Sequence, residues 1–185
     1  MKKILVTRKL IKSSEELAKK LFEVKLNKED KILSKEELIR ASEGCDGILS
    51  SLTEKFDSNL ISNLSKTIKI ISNFAVGFGN IDIEAAKKKN IVVTNTPDVL
   101  TDATAEIAIL ILLGAARRAR EGAQWVEKKN WKWSADFLMG KQLTGSRLGI
   151  LGMGRIGRAV AEKARAFGMK IHYYNRSRLN KNLEK

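Results

Sequence analysis

Up to residue 100, short apolar runs rich in Ile and Val alternate with charged stretches whose apolar positions fall at helical spacing. Strands are expected at Ile4–Thr7, Phe22–Leu26, Gly47–Ser50, Ile68–Phe74 and Ile91–Thr94. Helices are expected between them, at Ser13–Leu21, Ser34–Ala41, Asp57–Leu64 and Ile83–Lys89. Ser13 with Glu16, and Ser34 with Glu37, have the spacing at which a hydroxyl and a carboxylate cap a helix start reciprocally. Strand–helix alternation of this length predicts a parallel sheet covered on both faces.

The pattern changes after Pro97, the sole proline. A long helix, about Thr101–Ala119, is apolar almost all round, and such a helix is expected to be buried on every side. That places it between domains or in a subunit interface. Trp125–Leu143 contains all three tryptophans and Phe137. So dense an aromatic patch reads either as an arm against a second subunit or as a segment folded back on its own domain. A second strand–helix–strand unit follows at Arg147–Leu151, Arg155–Phe167 and Met169–Tyr174, with Gly168 ending the helix.

Composition narrows the function classes. The 185 residues are 43% hydrophobic and 30% charged, a globular balance. The lone cysteine, Cys45, excludes an internal disulfide framework, fits a reducing compartment, and reads as a small buried residue. Ile4–Val6 is too short for a signal core and Ala103–Ala116 too short for a membrane span, so the expected compartment is the cytoplasm, with no membrane partner. The net charge is +14, which raises the alternative of a basic nucleic-acid-binding protein. The lysines are nevertheless scattered among glutamates without a basic run, so no nucleic-acid partner is expected.

Three segments carry chemistry. Gly152-Met153-Gly154-Arg155-Ile156-Gly157 follows an apolar strand and opens an amphipathic helix, the context a dinucleotide-binding turn requires. Gly152 would permit the tight turn, Gly154 the approach of a diphosphate, and Gly157 close helix–strand packing. The helix start offers unpaired N–H groups to the phosphates. An ordinary glycine turn is the alternative. The next strand ends in Tyr174-Asn175-Arg176-Ser177-Arg178, with Asn175 where a ribose-binding carboxylate usually stands. Arginines there suit a 2′-phosphate, which favours NADP(H) over NAD(H), although Asn175 could still bond a 2′-hydroxyl. Ala75-Val76-Gly77-Phe78-Gly79-Asn80-Ile81-Asp82 forms a glycine-containing turn after a strand, able to aim N–H groups at a small carboxylate.

Residues 75–82 resemble the substrate loop of the D-isomer-specific 2-hydroxyacid dehydrogenases. Asn95-Thr96-Pro97-Asp98-Val99-Leu100-Thr101-Asp102-Ala103-Thr104-Ala105-Glu106 is similar to the interdomain segment of their glyoxylate/hydroxypyruvate reductase branch. The glycine motif matches as well, and the similarity runs the length of the chain. The resemblance implies an α/β architecture: a flavodoxin-like substrate domain over 1–100, an interdomain helix and dimerisation arm over 101–144, and the start of a Rossmann NAD(P)-binding domain over 145–185. It implies that Val76 and Gly77 hold the carboxylate of a 2-oxo or 2-hydroxy acid, and that Thr104 lies near the nicotinamide. Gly152, Gly154, Arg155, Ile156 and Gly157 would take the diphosphate, and Asn175, Arg176, Ser177 and Arg178 the ribose end. A homodimer through 101–143 is implied too. The family's catalytic arginine, glutamate and histidine are expected beyond Lys185, and His172, the sole histidine, does not match that position. The 185 residues alone are therefore expected to be inert, with residues 145–185 less stably folded than 1–100. A non-catalytic cofactor-binding or subunit-pairing product is the alternative.

Overall fold

The computed structural model describes residues 1–182 and Glu184. The chain divides into two compact units, Met1–Pro97 and Asp98–Lys185.

In the first unit the elements run β1 (Lys3–Val6), α1 (Lys12–Leu21), β2 (Glu23–Leu26), α2 (Lys35–Ser42), β3 (Gly47–Ser51), α3 (Ser58–Asn63), β4 (Ile70–Phe74), α4 (Ile83–Lys88) and β5 (Val92–Thr94). The strands form one sheet in the order β2-β1-β3-β4-β5, with every pair parallel. This is the flavodoxin-type order, in which ligands bind beyond the carboxyl ends of the strands. Leu5, Ile48 and Ile71 are register partners on one face of the sheet. They join Leu38 of α2, Phe56 before α3, Leu60 and Ile61 of α3, and Ala86 of α4 in a buried core. Burying one such aliphatic or aromatic side chain contributes about 1.5–3 kcal/mol. Two residues further along each strand the same face turns polar and stays buried, with Thr7, Ser50 and Asn73.

Helix starts follow local chemistry. Ser34 and Glu37 form the reciprocal cap expected of them, and Asp57 and Asp82 accept from the Leu60 and Ala85 N–H groups. The corresponding cap at Ser13 does not form. Helix α1 begins one residue earlier, the Ile11 carbonyl accepts from the Ser14 and Glu15 amides, and Glu15 reaches back to the Leu10 N–H at 3.1 Å. With the start shifted, Ser13 lies inside the helix and cannot cap it.

The second unit contains α5 (Thr101–Ala116), α6 (Ala119–Glu127), β6 (Arg147–Leu151), α7 (Arg155–Ala166) and β7 (Lys170–Tyr174), with β6 and β7 parallel. Ile109 of α5, Leu143, Ala164 of α7 and Met169 share a core, lined by Leu148, Val160 and Ile171. The apolar helix therefore packs on the glycine-motif helix. It also ends earlier than expected. The Lys141 N–H takes the Ala116 carbonyl at 2.7 Å, and Arg118 turns left-handed at φ 54°, separating α6 from α5. Complete burial of α5 is not found within this chain: Ala105 and Ile109 are buried, whereas Ile107, Leu110 and Ile111 are exposed. The aromatic segment splits similarly. Trp125 and Phe137 meet edge-to-face at 5.0 Å, while Trp131 and Trp133 stand 86% and 77% exposed. Among the described residues no helix is long and apolar enough to cross a membrane.

Candidate substrate and dinucleotide sites

The loop after β4 is held from behind by asparagines. Asn73, fully buried near the end of β4, donates to the Gly77 carbonyl at 2.9 Å and to Asn80 Oδ1 at 3.2 Å, and accepts from the Ser50 hydroxyl at 3.2 Å. Asn80 donates in turn to the Ser51 and Glu54 carbonyls. Asn95, just past β5, donates to the Val76 carbonyl at 2.7 Å. The Val76 and Gly77 N–H groups take no internal acceptor among the described residues. A Cβ built on Gly77 would meet nothing within 4 Å, so the loop has open space beside Gly77. Two adjacent free N–H groups beside open space are suited to a small carboxylate. Glu54, buried close by, accepts from the Ser51 amide and from the Ser51 and Thr53 hydroxyls.

In the second unit the turn after β6 gives its glycines three different tasks. Gly152 sits at φ +97°, where an L side chain is strained, and its N–H bonds to the Tyr174 carbonyl at 2.9 Å. A Cβ on Gly157 would overlap the Gly152 carbonyl oxygen and lie 3.2 Å from its carbonyl carbon. Gly154 is constrained by neither effect, with φ at −77° and nothing within 4 Å of an added Cβ. The space in front of it suits a diphosphate. Helix α7 starts there without a side-chain cap, and its first intrahelical bond is Arg158 N–H to the Gly154 carbonyl at 2.9 Å. The Arg155, Ile156 and Gly157 amides are therefore unspent toward the same space.

The family model for the D-isomer specific 2-hydroxyacid dehydrogenase catalytic domain matches residues 4–179. The chain belongs to that family. It is 40% identical over 181 residues to a glyoxylate reductase of Thermococcus kodakarensis, covering 95% of this chain and 54% of that protein. It is 38% identical over 178 residues to a glycerate dehydrogenase of Hyphomicrobium methylovorum, covering 96% and 55% respectively. A solved structure from Polaromonas sp. JS6 66, assigned as an NAD-binding D-isomer specific 2-hydroxyacid dehydrogenase, superposes with a TM-score of 0.91 at 40% identity. It covers all of this chain and 58% of the other. The chain thus spans about half the length of the curated relatives it matches.

Around the dehydrogenase turn, charged side chains have partners that the sequence did not reveal. Arg155 is paired at 2.8 Å with Asp98, whose backbone is left-handed at φ 72°. Lys163, two turns along the same helix, pairs with Asp102 at 2.9 Å. At the β7 tip, Arg178 forms a two-pronged pair with Glu184, both contacts at 2.9 Å, and the Tyr173 hydroxyl also donates to Glu184. The Arg178 guanidinium, then the Tyr173 hydroxyl, hold the Glu184 carboxyl down to about 2. Asn175 donates to the Ser177 carbonyl at 3.2 Å, while Arg176 and Ser177 are exposed. Arg176 forms no ion pair among the described residues. Thr104, expected near the nicotinamide, is exposed in the first turn of α5. His172 lies on the exposed face of β7. Cys45 is fully buried, and burial pushes its thiol above the usual range. No cluster of three metal-ligating side chains exists among the described residues.

Proposed function

We propose that this chain supplies the carboxylate-binding and dinucleotide-binding elements of an NADPH-dependent glyoxylate/hydroxypyruvate reductase. The observation carrying this reading is the division of labour among Gly152, Gly154 and Gly157: two glycines are demanded by the turn itself, and the third leaves room in front of unspent helix amides. The reaction would convert a 2-oxo acid, NADPH and a proton into the 2-hydroxy acid and NADP+. The nicotinamide supplies the hydride. Val76 and Gly77 hold the acid's carboxylate, and Thr104 packs near the ring.

NADP(H) is preferred over NAD(H) because no carboxylate stands at position 175, and Arg176 with Ser177 is open to a 2′-phosphate. Arg178 contributes less than its charge implies, since Glu184 already occupies it. The proton donor is not assigned to His172, which stands on the exposed face of β7 with no carboxylate partner among the described residues. The chain by itself therefore binds both ligands without turnover, the non-catalytic reading of the same site. A homodimer through residues 101–143 would cover Ile107, Leu110 and Ile111 of α5 together with Trp131 and Trp133 of the segment after α6, all exposed in this chain.

Calorimetric titration of the chain with NADPH and NADH tests the cofactor reading, with tighter binding of NADPH expected. Equal affinity for both removes the 2′-phosphate assignment. Glyoxylate-dependent oxidation of NADPH by the chain alone would overturn the division between binding and proton transfer.

A further inference from the structure

We propose that Asn95 and Thr96 are positioning residues that aim and polarise the two amides receiving the substrate carboxylate. The inference rests on the reading that Val76 and Gly77 bind that carboxylate, and goes beyond it by assigning what makes them competent.

In a trans peptide the carbonyl of one residue and the N–H of the next lie in one plane and point in opposite directions. None of the described peptide bonds is cis. The Val76 N–H therefore shares a plane with the Ala75 carbonyl, and the Gly77 N–H with the Val76 carbonyl. Both carbonyls are engaged from the segment following β5. The Thr96 N–H donates to the Ala75 oxygen at 2.9 Å, and Asn95 Nδ2 donates to the Val76 oxygen at 2.7 Å. The next plane is treated alike, with Asn73 Nδ2 on the Gly77 oxygen at 2.9 Å. Three successive carbonyls are thus drawn toward the protein, and three successive N–H groups face away from it. A run of N–H groups on one side is an anion-binding concavity. A donor on the carbonyl of a peptide unit also strengthens the hydrogen bond its N–H can make, by about 10–30% per bond.

Each donor is itself held. Pro97 restricts Thr96 to extended backbone. Asn95 is half-buried beside the last strand. Asn73 is locked by Ser50 and Asn80. Asn95 is the informative position, because its side chain can be changed without altering the loop's own sequence.

The test is an amide-resolved NMR titration of the full 185-residue chain with oxalate. In the wild type the Val76 and Gly77 resonances move. In Asn95→Leu, which keeps the side-chain size without a donor, the unliganded Gly77 amide proton moves upfield and oxalate affinity falls about 1.3- to 5-fold, the effect of weakening one hydrogen bond to a charged group by about 10–30%. In Asn95→Asp the Gly77 proton is upfield at neutral pH and returns downfield as the new carboxyl protonates and regains a donor, a response that a purely structural role would not give. An unmoved Gly77 proton and unchanged oxalate affinity in Asn95→Leu overturn the proposal while sparing the carboxylate reading. Wild-type Val76 and Gly77 amides unmoved by oxalate overturn both. If Asn95→Leu fails to fold, the Asn95→Asp pH response decides.

Discussion

Gly154→Ala separates binding from folding. The residue has φ −77° and ψ −161°, which alanine adopts without strain, and an added Cβ would meet no atom within 4 Å. Lower entropy of the unfolded chain favours alanine by about 0.4–1 kcal/mol. Alanine is a poorer helix N-cap than glycine by a comparable amount. The net change in stability is therefore close to zero. The ligand experiences something different. The methyl group would stand in the space a diphosphate needs to reach the Arg155, Ile156 and Gly157 amides. Hydrogen bonds to a charged group contribute about 1.5–3 kcal/mol each. Losing one such bond weakens NADPH binding between about 10-fold and about 150-fold. Thermal unfolding followed by far-UV circular dichroism, paired with calorimetric NADPH titration, measures both quantities. A large fall in the unfolding temperature, or unchanged NADPH affinity, would refute the reasoning. Gly157→Ala is the contrast: its Cβ would overlap the Gly152 carbonyl, so stability and binding fall together.

Glu184 has its carboxyl lowered from 4.5 to about 2 by Arg178 and Tyr173, so the stability this pair contributes is present above pH 4.5 and is lost as pH falls through about 2. A carboxyl-carbon NMR titration with a Glu184 midpoint near 4.5 would contradict the pair. Asp98→Asn releases Arg155 and removes an anion from the mouth of the turn; because the pair is exposed, NADPH affinity rises only about 1.5- to 5-fold, and an affinity that falls would show that Asp98 helps the turn instead. Cys45, fully buried with its thiol pushed up by burial, reacts with a thiol reagent only as the first unit opens, and prompt labelling of the native chain would refute its placement.

The sequence revealed the frame where the signal was local. Alternating apolar runs placed the seven strands of the described residues, and the Ser34–Glu37 spacing predicted a cap that forms. The same spacing at Ser13 failed because a cap depends on where the first turn begins, and the Leu10–Glu15 bond moved that start. The end of α5 was hidden for a related reason. It is set by Lys141, which is 25 positions from Ala116 in sequence, a separation no window over the helix can sense. The apolar character of α5 was legible, but which of its faces this chain covers was not. In the turn after β6, the demands on Gly152 and Gly157 were readable because each answers to nearby backbone. The asparagine donors behind residues 75–77, the Asp98–Arg155 pair and the Glu184 clamp on Arg178 were not, since each joins separate segments.

The most direct measurement is an amide-resolved NMR titration of the chain with NADPH. The account predicts that the Gly152–Gly157 amides and those of Asn175–Arg178 move together, with one saturation curve. Resonances in both segments that stay fixed at millimolar NADPH would contradict it.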